Sequence, residues 1–208
     1  MKRRDILYGA SALAMLSLSP RLAGAAASAG SVVGLNGQCL IERGGGSTPL
    51  KLGDPISVSD TVDVPPDGKL KLRMEDGSVI SLASGTKMTI AAYQTDAGGQ
   101  RQTAQLSLTQ GLLRAVVSPV NHPSTFEVST AVGTAAVRST DWFVEAKPGS
   151  AQVGVLAGSV VLRSGATGRE VTVPARWGAR LEAGRDPVEA RVWAPQEFQA
   201  VISRTDVP

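Results

Sequence analysis

One histidine and one cysteine supply all the imidazole and thiol in this 208-residue chain. His122 lies inside Pro119-Val120-Asn121-His122-Pro123, with no cysteine or carboxylate cluster beside it. That setting reads as a surface-loop histidine rather than a metal ligand or a general base. Cys39 stands between Gly37 and Leu40-Ile41 and has no second thiol to pair with. It reads as a small buried hydrophobe, with an intermolecular bridge as its other conceivable use. Asp76 could be a calcium ligand or a catalytic acid. It sits in Asp76-Gly77-Ser78 with no second carboxylate at loop spacing, so turn chemistry explains it better.

Thr140-Asp141 has the look of a nucleophile and its helper. Gly44-Gly45-Gly46-Ser47 could cradle a phosphate, but only with a helix N-terminus behind it, and a strand pattern follows instead. The chain has no G-x-S-x-G elbow, no metal-spaced cluster and no paired carboxylates. We therefore expect no enzyme, no catalytic residues, no cofactor and no metal. Two binding chemistries remain. Trp142, Trp177 and Trp193 could stack on sugar rings, although Trp142 falls on an inward parity and packing suits the other two as well. Lys69, Lys71 and Arg73 project from one face of an alternating run and form the candidate interaction surface for an acidic partner or an anionic polymer. A solvated face that protects a sheet edge is the simpler account of them.

The elements that must carry these residues begin after a leader. Lys2, Arg3 and Arg4 precede a short, mildly apolar run from Ile6 to Leu18, then Pro20 and the small-residue site Ala23-Gly24-Ala25. This pattern predicts a cleaved export signal over 1–27. Arg3-Arg4-Asp5-Ile6-Leu7 fits the twin-arginine form, with an ordinary Sec signal as the alternative. Of 21 Lys and Arg and 18 Asp and Glu, four basic residues and one acidic residue lie ahead of Ala25, which leaves 17 of each. A neutral mature chain gives no electrostatic footprint for nucleic acid. Cys39 also lacks a lipoprotein context, so no membrane anchor is expected after cleavage.

The remainder predicts an all-β domain over 31–183 and a tail over 187–208. Short alternating runs are punctuated by Gly, Pro and Asp. Lys69-Leu70-Lys71-Leu72-Arg73-Met74 alternates without error, and Ile80 with Leu82 answers it across Asp76-Gly77-Ser78. The polar stretch from Tyr93 to Thr103 reads as a protruding loop. Gly77, Gly111, Gly133, Gly158 and Gly178 read as the centres of strand-turn-strand units at uneven spacing. In the tail, Phe198, Val201 and Ile202 share one helical face behind Pro195, so one short helix should dock through Trp193 and Phe198.

The stretch from Phe126 to Val144 organises the rest. Phe126, Val128 and Thr130 alternate with Glu127 and Ser129, a Gly-containing break follows, and a second strand runs through Val137 to Trp142 and Val144. Val137 has odd parity while Trp142 and Val144 have even parity. If all three point inward, the backbone must bend near Arg138–Thr140. This stretch resembles the signature of FecR-domain proteins, carried here by Val128, Thr130, Val137, Arg138, Thr140, Trp142 and Val144. Ser139 stands where that family usually has Gly, which would license positive φ at the kink. Leu72, Asp76, Gly77, Ser78, Ile80 and Leu82 resemble a second family motif. Leu108, Gly111 and Arg114 fit a third, and Val153, Val155, Gly158 and Val160 a fourth.

The likeness runs from about Val32 to Leu181. It implies a twisted β-solenoid-like or sandwich-like fold and a periplasmic sensing or interaction module that contributes to envelope signalling through a protein partner. Full-length regulators of that family add an anti-sigma segment, a membrane helix and a receptor-contact region. The resemblance therefore implies a free-standing exported FecR domain, with a cell-wall, peptidoglycan or other glycan-binding domain as the alternative.

Overall fold

The computed structural model describes residues 27–207. The Arg pair and the cleavage site of the expected export signal lie outside the described residues. In chain order the strands are β1 (Ser28–Asn36), β2 (Leu40–Arg43), β3 (Gly46–Pro49), β4 (Pro55–Ser57), β5 (Thr61–Asp63) and β6 (Lys69–Met74). Next come β7 (Val79–Leu82), β8 (Lys87–Thr95), β9 (Arg101–Val116), β10 (Thr125–Ser129), β11 (Gly133–Val137) and β12 (Asp141–Lys147). Then follow β13 (Ser150–Ala157), β14 (Ser159–Ser164), β15 (Glu170–Pro174), β16 (Trp177–Glu182), β17 (Arg191–Val192) and the helix α1 (Pro195–Thr205).

These strands form two sheets that share β9. The first has the order β4-β1-β6-β7-β9-β12-β13-β16-β17. The second has the order β3-β2-β5-β8-β9-β10-β11-β14-β15. All of these pairings are antiparallel except β9 with β10. The chain alternates between the sheets almost hairpin by hairpin. The product is an open all-β sandwich wound like a solenoid, with one short C-terminal helix.

The alternation explains the parity change near Arg138. Val137 pairs with Phe126 and Val160 in the second sheet. Trp142 pairs with Ala115 and Val155 in the first. Arg138–Thr140 carries the chain across the gap, so Val137, Trp142 and Val144 all reach the core. Ser139 is not in the left-handed region; the positive φ falls on Gly158, at +88°, directly beneath the crossing. A Cβ there would stand 2.7 Å from the Ser139 carbonyl oxygen.

Alternating side chains from both sheets meet in one core that includes Leu70, Leu72, Ile80, Leu106, Phe126 and Trp142, all essentially buried. Each such Leu, Ile or Phe contributes about 1.5–3 kcal/mol relative to an exposed position. A second, smaller cluster lies on the outer face of the first sheet. There Phe143, Leu112 and Ala83 meet Trp193 and Val201, with Phe198 packed against them. The rings of Phe143 and Trp193 are 5.3 Å apart between centroids, and those of Trp193 and Phe198 are 5.4 Å apart. Thus α1 docks through the aromatic residues its sequence pattern singles out. Pro195 opens it, and the Glu197 carboxylate accepts a hydrogen bond from the Ala194 amide at 2.8 Å.

Three local expectations change. The stretch from Tyr93 to Thr103 is mostly strand, with only residues 96–100 between β8 and β9, and both Tyr93 and Arg101 are buried. Gly111 does not separate two strands. It bends the single strand β9 from one sheet into the other at φ +95°, where a Cβ would overlap Thr86. Gly178 lies inside β16 and centres no turn; a Cβ at that position would overlap the Trp193 indole.

Candidate functional site: a groove at the sheet-to-sheet crossing

Three of the residues singled out by their sequence pattern, Asp76, Ser78 and Arg138, meet on a side chain that the pattern does not reveal, Arg101. Asp76, Gly77 and Ser78 form the tight turn between β6 and β7, with Gly77 at φ +81°. The Asp76 carboxylate accepts from the Ser78 amide at 3.0 Å and from the Ser78 hydroxyl at 2.8 Å. Its second role is electrostatic. The Arg101 guanidinium, at the start of β9, donates to the same carboxylate, and the pair is shut away from solvent. Arg101 also donates to the Ser78 hydroxyl and to the carbonyls of Ser118 and Arg138, each at 3.2 Å, and lies 5.4 Å from the centre of the Phe126 ring. Charges this deep are tolerated only when paired and hydrogen-bonded. Tyr93 completes the node: its hydroxyl accepts from the Asp76 amide at 2.9 Å, and burial raises its pKa.

This node fixes the crossing. Arg101 holds the Arg138 carbonyl, and the Thr140 hydroxyl donates to the Ser159 carbonyl at 3.2 Å. Gly158 lets the two segments touch. Asp141, the first residue of β12, takes a two-pronged ion pair from Arg114 at 3.0 and 2.8 Å. That geometry occupies Asp141 and gives the Thr140-Asp141 pair a structural function. Trp142 is fully buried, and its indole nitrogen has no hydrogen-bond partner among the described residues, so it serves as packing. Thr130 lies apart and closes the β10–β11 turn, donating to the Gly133 carbonyl at 2.9 Å.

A cleft of about 410 Å³ opens at the crossing, between β10, β11 and the start of β14. A second, of about 350 Å³, follows the loop that carries His122, and Arg138 and Ser139 line both. The exposed Arg138 side chain makes no ion pair or hydrogen bond among the described residues, and neither does Glu127 on the facing strand. His122 is half-buried, with its Nδ1 3.0 Å from the Pro123 carbonyl and its Nε2 3.5 Å from Asp96. Cys39 is buried, and desolvation, with Asp63 and Asp67 nearby, pushes its thiol up to about 11.

The basic stripe has a more local use than its sequence suggests. The Lys69 ammonium donates to the Ser203 and Asp206 carbonyls at 2.9 and 3.0 Å, and Lys71 donates to the Val207 carbonyl. Two of the three cations thus hold the carbonyl end of α1, where a positive charge also complements the helix dipole. Arg73 remains exposed. Among the tryptophans, Trp193 is buried beneath α1 and Trp177 is 36% exposed at the β16–β17 edge.

Two sheets, a β9 that serves both and a hydrogen-bonded crossing define the class: an all-β double-sheet domain. Its family follows from comparison with known proteins. Residues 60–161 match the family model described as FecR protein, so that part of the chain is a FecR domain. Two crystal structures of a candidate anti-sigma factor from Parabacteroides distasonis ATCC 8503, at 2.50 and 1.65 Å, share the fold with a TM-score of 0.56 at 16% identity. The match covers 67% of this chain and 62% and 63% of those chains, so this chain spans somewhat less than two thirds of their length. No curated protein matches the sequence.

Proposed function

We propose that this chain is a regulatory protein of the FecR kind: a non-enzymatic sensing and interaction module that reaches the periplasm by export and relays envelope signals through a protein partner. The observation that carries this reading is the FecR match over residues 60–161, which includes the buried node and the crossing. The fold shared with a candidate anti-sigma factor supports the same role. Surfaces available for contact include the groove at Arg138 and the exposed Arg73 on β6.

In-cell crosslinking of the tagged protein, followed by envelope fractionation, tests the reading. A defined envelope protein should be captured, and capture should fall when Arg73 becomes Glu while the fold persists. Lys69 and Lys71 are poor choices for this test because reversing them also frees the end of α1. One observation favours a second reading, glycan binding: Trp177 is partly exposed opposite Val192. Recovery of cell-wall fragments without protein, abolished by Trp177→Ala, would replace the first reading with that one.

A further inference from the structure

We propose that the groove at the β11–β12 crossing docks an extended protein segment of the pattern acidic–any–basic, with Arg138 binding the carboxylate and Glu127 the cation. This inference rests on the protein-contact reading above and gives it a surface. Two clefts share Arg138 and Ser139, so they form one groove that bends around the Arg138 side chain. A groove that continues past its charged residue suits a chain segment better than a compact small molecule.

Charge placement selects the pattern. Arg138 and Glu127 line the groove, and neither has a charged partner among the described residues. Glu127 is the cross-strand partner of Ala136, and Arg138 follows Ala136 by two positions, one residue beyond the end of β11, and lines the same groove. Diagonal neighbours in a ladder stand about 7–8 Å apart, which sets the scale of this separation. In an extended segment, residues i and i+2 lie about 6.6 Å apart and point to the same side. One acidic and one basic side chain, separated by a single residue, therefore match both charges at once. Between them the floor is Ala136 beside its cross-strand partner Val161. It presents no stacking platform, since the ring of Phe126 is 1% exposed and faces the core. That favours peptide over sugar.

Preorganisation strengthens the case. The Arg138 carbonyl is held by buried Arg101, the Ser139 carbonyl rests on Gly158, and the Thr140 hydroxyl is tied to Ser159. A ligand would meet a backbone that is already ordered, so little of its binding energy would be lost in fixing the site. The other large apolar face, on the outside of the first sheet, is already covered by α1.

The test is an NMR titration of the full chain, isotope-labelled, with the pentapeptide acetyl-Ala-Asp-Thr-Lys-Ala-amide. Saturable shifts should concentrate at 124–127, 136–140 and 158–161. Loss of a charge-assisted contact should weaken binding about tenfold or more in Arg138→Gln. Glu127→Gln should weaken it by a smaller factor, and the neutral peptide acetyl-Ala-Asn-Thr-Gln-Ala-amide should bind at least about tenfold less tightly. Both variants alter side chains outside the core, and an unchanged denaturation midpoint would confirm that each is folded. The proposal is overturned by non-saturating shifts, by equal binding of the neutral peptide, or by undiminished binding in Arg138→Gln. Shifts at the same residues caused by a chitin tetrasaccharide but not by the peptide would overturn it in favour of a sugar site. Failure of the titration would leave the signalling reading intact, because capture of an envelope partner tests that reading separately.

Discussion

The guanidinium of Arg101 meets the carboxylate of Asp76 inside the sandwich, with 0% and 1% of the two side chains exposed. One comes from the start of β9 in the second sheet and the other from the β6–β7 turn in the first, so the pair spans the core. Removing one partner leaves a buried charge without compensation. Arg101→Ala and Asp76→Ala should each lose about 3–5 kcal/mol in urea denaturation, a large share of the roughly 5–15 kcal/mol that holds a typical domain folded. The double variant Asp76→Leu/Arg101→Met should recover much of that loss. Two single variants within about 1 kcal/mol of the parent, well short of the expected loss, would refute this role.

Gly158 should be far less replaceable than Gly53, although both lie at positive φ, +88° and +84°. A methyl group added at Gly53 would meet no atom within 4 Å, so Gly53→Ala carries only the left-handed penalty of about 1–2 kcal/mol. At Gly158 the added methyl also meets the Ser139 carbonyl and the Thr140 hydroxyl. Gly158→Ala should therefore lose clearly more stability than Gly53→Ala and shift the NMR signals of Arg138 and Ser139. Equal losses at the two positions would show that the crossing is not tightly packed.

The inward faces of the strands were legible because period-2 alternation records which side chains point to the core, whereas the sandwich-like or solenoid-like arrangement was implied only by the family resemblance. Lys69–Met74 and Phe126–Ser129 behave as written. Even the change of sheet left a trace, in the opposite parities of Val137 and Trp142. Arg101 left none. It follows a polar, glycine-rich stretch, and a buried arginine is spelled like a surface one until its partner across the core is known. Gly111 and Gly178 show a related blind spot: glycine marks both a turn and a point of close approach, and only the facing residues, Thr86 and Trp193, decide which applies. The basic stripe was legible as outward-facing, but not as the anchor for the end of a helix, whose Ser203 carbonyl lies 134 residues after Lys69.

The packing of α1 should depend on its aromatic residues more than on its length. An isolated 11-residue helix is marginal in water, and this one is held by Trp193 and Phe198 against Phe143. Trp193→Ala should lose about 3 kcal/mol or more and expose the C-terminal segment to limited proteolysis. Phe198→Ala, at a half-buried position, should lose less. Gly178→Ala should reproduce the protease sensitivity by displacing the same indole without touching α1. Resistance to cleavage in all three variants would mean that the lysine–carbonyl contacts suffice to hold the helix.

Cys39 should be chemically silent in the folded protein at ordinary pH. It is fully buried, and its Sγ lies 3.7 Å from the carbonyls of Asn36 and Lys69. Burial is the main cause, and Asp63 and Asp67 add to it, of a thiol pKa raised from 9.0 to about 11. Because the folded state then keeps a proton that the unfolded state releases, the thiol's contribution to stability is complete below about pH 9 and is lost as pH rises through about 11. Stability measured between those values should fall more steeply for the parent than for Cys39→Ala. At pH 8 a maleimide should label the urea-unfolded chain readily and the folded chain only at the rate of opening. Equal labelling rates in the two states would place the thiol at the surface and remove the basis for the pH dependence.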